Sequence, residues 1–118
     1  MTRVKRGVTA HRRHRKIVKA AKGFRGQRHK VFVQAKPALL KQGLHAYEGR
    51  KNKKRVFRRL WIVRINAACR ELGIKYSRLI DGMTKQGIEV DRKILSELAV
   101  NDPATFKAVV EEAKKGLL

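Results

Sequence analysis

The clearest hydrophobic pattern lies at the carboxy end, where apolar residues recur at helical spacing in short blocks closed by glycine. Phe106, Val109, Val110 and Ala113 fall at i, i+3, i+4 and i+7 ahead of Gly116. Asp102 followed by Pro103 predicts the start of that helix, because a carboxylate accepts from free N–H groups and proline loses no hydrogen bond in a first turn. Asp91 predicts a cap for a preceding helix carrying Ile94, Leu95 and Leu98 inward. Ser77 predicts one for a helix carrying Leu79, Ile80 and Met83 and ended by Gly87, with Ile88 and Val90 as an apolar connection. Before these, Phe57, Trp61, Ile65, Ala68 and Leu72 form one stripe of a helix that Gly73 stops. These four helices predict a globule of about 60 residues, small enough to be marginal in stability.

The amino-terminal half is patterned differently. Residues 2–8 read as an unstructured basic tip. Thr9 predicts the cap of a helix from Ala10 to Lys22, with Gly23 as its stop. Only Ile17, Val18, Ala20 and Ala21 give that helix an apolar strip. Gly23–Lys30 reads as a hinge, in which Phe24 either packs on the next helix or stacks on a base. Val31, Phe32, Ala35, Leu39, Leu40, Leu44 and Tyr47 trace a second helix, which Pro37 should interrupt or kink and Gly43 weaken. The run Arg50–Arg59 then feeds directly into the Trp61 stripe.

Charge changes this picture most. The 118 residues carry 31 Lys/Arg against 9 acids, a formal +22, of which residues 1–60 hold +20 with Glu48 as the single acid there. A solvated face needs no such excess, and a compact body carrying it would repel itself. The arm therefore implies a polyanionic partner, nucleic acid first. The expected fold class is all-α: a long basic helical amino-terminal extension, residues 1–57, plus a small four-helix carboxy-terminal globular domain, residues 58–118. At about 1.5 Å per helical residue, the arm suits crevices between packed RNA helices better than one groove of a duplex.

The candidate contacts follow. In the tip and first helix they are Arg3, Lys5, Arg6, His11, Arg12, Arg13, Arg15, Lys16, Lys19 and Lys22. The hinge adds Arg25, Arg28 and Lys30, and the basic run Arg50, Lys51, Lys53, Lys54 and Arg55. The domain offers Arg58, Arg59, Arg64 and Asn66 on its first helix. To these the helix amino ends at Ser77–Arg78 and Arg92–Lys93 add N–H groups that favour phosphate. Arg58 and Arg59 are read as lying off the Phe57/Trp61/Ile65 stripe. Trp61 stays open between core packing and the RNA boundary.

Other chemistry finds little support. His11 and His14 lie among cations with no carboxylate to orient either ring, which disfavours a metal. Glu111 and Glu112 are adjacent and point to different sides of a helix, so they make no acid–base pair. No nucleophile has a plausible base. No enzyme activity, cofactor, metal or small-molecule substrate is expected. Cys69, the lone cysteine, sits in an apolar helical stretch and reads as a small buried hydrophobe. A lone thiol, with no secretory apolar segment and an amino end unlike a serine-rich transit peptide, predicts a reducing cytoplasm. No apolar run reaches the roughly 20 residues of a membrane helix. The first helix also lacks the broad apolar face of a membrane-active peptide. The remaining rival is a non-specific DNA- or RNA-compacting architectural protein.

The stretch Lys54-x-x-x-Arg58-x-Leu60-Trp61-Ile62-Val63-Arg64-Ile65-Asn66-x-x-x-Arg70 resembles the signature of the bacterial large-subunit ribosomal protein L-twenty family. So do Arg3–His14, Ala21–Arg28, Tyr76–Met83 and Gly87–Pro103, in order along nearly the whole chain. The resemblance implies an all-helical fold with an extension threaded through large-subunit ribosomal RNA, neighbouring large-subunit ribosomal proteins as partners, and early action in subunit assembly. Members can also repress their own messenger RNA. Pro37 departs from the family's uninterrupted second helix, which bears on the shape of the arm.

Overall fold

Helix follows helix wherever apolar residues keep the 3.6-residue period. A computed structural model describes residues 2–3 and 5–117; Val4, part of the expected tip, lies outside the described residues. Among the described residues the elements are α1 (Gly7–Ala20), a 3-10 turn at Gly26–His29, α2 (Phe32–Glu71), α3 (Tyr76–Lys85), α4 (Arg92–Asn101) and α5 (Pro103–Lys115), with no strand. The all-α expectation holds. Two compact units divide the chain, Met1–Lys51 and Asn52–Leu118.

In the first unit, α1 begins three residues earlier than expected. Arg6 is its N-cap without a side-chain bond. Thr9 does not cap it: its hydroxyl donates back to the Arg6 carbonyl at 3.1 Å from inside the first turn. Gly23, at φ +90°, follows the helix end as a left-handed stop. The hinge is more ordered than glycine content suggests. Phe24 N–H donates to the Ala21 carbonyl at 3.2 Å, and Val31 N–H to the Gln27 carbonyl at 2.9 Å. The rings of His14 and Phe32 stack with centroids 4.0 Å apart, pinning α1 to the first turn of α2.

Pro37 does not interrupt the second helix; α2 runs through it, through Gly43 and Gly49, and on to Glu71 as 40 residues. Pro37 deprives the Val33 carbonyl of its helical donor. Val33 is 75% exposed, so solvent can take that place. Among the described residues of this unit only Ala21 and Ala35 are buried hydrophobics, while Leu40, Leu44 and Tyr47 stand exposed.

The second unit holds the core: Ile65, Cys69, Ile74, Leu79, Met83, Leu95, Phe106, Val110 and Ala113. Burial along its share of α2 begins only at Trp61. Phe57, expected on the core stripe, is 43% exposed, its ring tilted against Trp61 with centroids 6.4 Å apart. Gly73, at φ +70°, ends α2 as expected, and Lys114 Nζ donates to the Leu72 carbonyl at 3.2 Å beside that end. Helix α5 packs on α3 and α4. It meets α3 backbone to backbone, because a Cβ on Gly82 would overlap the carbonyl of Ala113. Asp91 and Asp102 cap α4 and α5, accepting from Ile94 N at 2.9 Å and Thr105 N at 3.1 Å. The Thr105 hydroxyl and N–H hold the Asp102 carboxyl below its ordinary range.

Beside Phe57, two more expectations fail in this unit. Ser77 is not a cap, since α3 starts at Tyr76, two residues earlier than that cap requires, behind Lys75, which makes no side-chain capping bond. On α4, Ile94 turns outward at 48% exposure, while Ser96 is buried. Leu95, Ser96, Leu98 and Ala99 face inward, so Leu95 and Leu98 keep their expected places.

The first unit buries too little to hold itself together, because the ordering entropy of about 50 residues has almost no apolar burial against it. Limited trypsin digestion of the free protein should therefore remove residues up to about 50 and spare a carboxy-terminal fragment. Equal survival of both parts would contradict this account.

Candidate nucleic-acid interface

Every cation expected in the first unit is exposed. On α1, Arg12, Lys16 and Lys19 fall at i, i+4 and i+7, one ridge on the side away from His14 and its Phe32 stack. Arg13 and Arg15 flank it. His11 and His14 are both exposed, and no group of three metal-ligating residues occurs among the described residues. Lys22, Arg25, Arg28 and Lys30 follow in the loop and 3-10 turn. Arg50 and Lys51 stand on α2, with Lys51 Nζ over the Tyr47 ring at 4.4 Å. Ahead of the helix, Arg3, Lys5 and Arg6 are exposed.

In the second unit, Lys53, Lys54 and Arg55 are exposed, with Lys53 Nζ 5.9 Å from the Phe57 ring. Spacing divides the arginines of α2. Arg55, Arg59 and Asn66 fall at i, i+4 and i+11, one line beside the core face, whereas Arg64 points to another side. Arg70 continues that line four residues after Asn66 and is exposed. It belongs among the candidates, and helical spacing alone could have placed it there. Arg58 corrects the sequence reading. Seven residues ahead of Ile65, it lies on the core line, not off it, and stays exposed only because burial starts at Trp61.

The amino ends of α3 and α4 are tied together, for Arg92 Nε donates to the Tyr76 hydroxyl at 2.9 Å. Their chemistry differs. Lys75 leaves the first N–H groups of α3 without a side-chain partner, whereas Asp91 already occupies the end of α4. Anion binding at a helix end is therefore better supported at Ser77–Arg78 than at Arg92–Lys93. Arg78 also shares a shallow cleft with Lys75, Lys114 and Lys115, in which Glu111 is the one acid. Lys75 and Lys114 stand 39 residues apart in sequence, and no local pattern announces their meeting.

Ion pairs among the described residues involve His45, Lys85, Lys107 and Lys115, and none of the expected contacts. The arginines are thus free of internal carboxylates and available for bidentate phosphate binding. Cys69 is buried, and desolvation pushes its thiol up to about 11, so it stays neutral and inert. No helix among the described residues is long and apolar enough to cross a membrane.

An all-helical chain with this face is similar to known proteins along its whole length. The family described as Ribosomal protein L20 matches residues 3–109. The chain is 60% identical to large ribosomal subunit protein bL20 of Methylibium petroleiphilum, over 99% of both chains. It is 58% identical to the protein of that name in Bradyrhizobium diazoefficiens, over 99% of this chain and 98% of the other. The Methylobacterium radiotolerans protein is 60% identical, with 99% and 94% covered. The family is one of ribosomal proteins, not of enzymes, and with a match of this extent and identity the chain belongs to it.

Proposed function

We propose that this chain is a structural constituent of the large ribosomal subunit that binds large-subunit (23S-type) ribosomal RNA directly and supports early subunit assembly. The observation that carries this reading is the first unit, where 16 Lys/Arg and one acid surround two buried alanines. Such a segment gains its order from a polyanion that fills the space between its helices. The division of labour follows at residues 57/58: an extension threaded through RNA, and a folded domain that docks. Neighbouring large-subunit ribosomal proteins are its further partners, and the cytoplasm its compartment. Its own messenger RNA becomes a second ligand where that RNA repeats the ribosomal shape.

Competition between deproteinised large-subunit ribosomal RNA and duplex DNA at physiological salt tests this. Ribosomal RNA should win at equal phosphate concentration, and parity would favour a non-specific compacting protein. In the same assay, Arg58→Ala and Arg59→Ala should each weaken RNA binding on the order of tenfold, the worth of one charged hydrogen bond. The melting temperature should not change, since both side chains are exposed. A large fall in melting temperature would mean these arginines serve the fold.

A further inference from the structure

A groove of about 660 Å³ opens in the first unit, between the loop after α1 and the first turns of α2. That volume is within the range of about 300–1,000 Å³ typical of ligand clefts. Its apolar lining is Phe24, Val33, Pro37 and Ala38. Cations rim it at Arg25, Arg28 and Lys41, and no acid lines it. Gln34, Gln42 and His45 add donors and acceptors along the α2 side. Phe24 is only half-buried, so its ring meets the groove without being consumed by packing. The backbone bonds from Phe24 to Ala21 and from Val31 to Gln27 fix the loop that presents it.

This combination matches one kind of ligand. An aromatic face takes a base, a cationic rim takes the flanking phosphates, and amides read a base edge; a duplex offers no free base face. An acidic peptide would use the cations but leave the aromatic ring and the amides without a role. We propose that the groove holds one unpaired nucleotide of the bound RNA, its base stacked on Phe24 and its neighbouring phosphates on Arg25, Arg28 and Lys41. The inference rests on the RNA-binding reading above and adds a base-specific subsite to an arm otherwise suited to backbone contacts.

The test uses the full chain and deproteinised large-subunit ribosomal RNA, with base-specific chemical probing and affinity read together. Wild-type protein should protect one unpaired base that Phe24→Ala exposes, with affinity down about tenfold, the worth of one stacked base. Phe24→Trp should keep both. Phe24→Leu decides between stacking and wedging, because it fills the same space without an aromatic face. If Phe24→Leu retains the protected base, or if Phe24→Ala changes neither affinity nor any base protection, the subsite does not exist. Loss of protections along the whole arm in Phe24→Ala would make Phe24 a structural wedge and overturn the inference equally. A wild-type chain that leaves no footprint would sink the RNA-binding reading itself, and the subsite with it.

Discussion

Between 50 and 200 mM salt the full-length protein should lose about three orders of magnitude or more in affinity for large-subunit ribosomal RNA. Residues 1–57 should carry most of that loss. They hold 19 Lys/Arg, and in the structure the described ones are exposed. If about half of them meet phosphates, the slope of log K against log salt is about −8, because each neutralised phosphate releases bound counterions. Residues 58–118 should show a shallower slope and the larger preference for the cognate RNA over an unrelated folded RNA. Discrimination needs contacts held in place before binding, and only this part has a core to hold them. The line Arg59–Asn66–Arg70 and the open end of α3 are fixed by that core; the ridge of α1 is fixed by a single ring stack. Binding of each half to both RNAs across a salt series measures the two quantities separately. A carboxy-terminal half without preference would move specificity into the amino-terminal arm and undo this division.

Gly82→Ala should unfold much of the second unit at moderate temperature. The added Cβ would meet the Ala113 carbonyl in the last turn of α5, and that backbone cannot shift without disturbing the buried Ala113 and Val110 side chains. Overpacking of this kind costs about 3 kcal/mol. A domain this size shifts its midpoint by about 12–24 °C for such a loss. Gly43→Ala is the matched control. Its site is open space inside α2, so alanine should be neutral or stabilising by up to about 1 kcal/mol. Thermal melts of both variants by circular dichroism check the contrast. A Gly82→Ala protein that melts like wild type would mean that α3 and α5 are further apart than described.

What was legible in the sequence was local and periodic. Asp91, Asp102 and Pro103 announce helix starts by chemistry acting within one turn. Leu79, Met83, Phe106, Val110 and Ala113 announce a core by spacing. The errors arose where context outweighed the local signal. Ser77 and Thr9 are good caps, yet both helices begin earlier, behind Lys75 and Arg6, without side-chain caps. Pro37 is tolerated because the carbonyl it strands is at the surface. Ile94 turns outward because the face that packs is centred on Leu95 and Ala99, which brings Ser96 in beside them. The basic face was visible as charge, but its geometry was not. Arg92 bonding Tyr76, Lys114 joining Arg78, and the groove under Phe24 all depend on segments meeting across the chain.

The continuity of α2 bears on how the arm acquires order. An isolated helix must first fix a costly initial turn before each further residue adds a hydrogen bond. The stretch from Trp61 to Glu71 is already helical against the core, so the helix toward Phe32 grows from an existing seed and needs no separate nucleation event. Growth toward the amino end then meets Gly49, Gly43 and Pro37 in turn, each a residue at which elongation is less favourable. Under the RNA-binding role proposed above, the folded domain is the template from which the arm zips up as RNA neutralises it, and these three residues are where that zipping should slow.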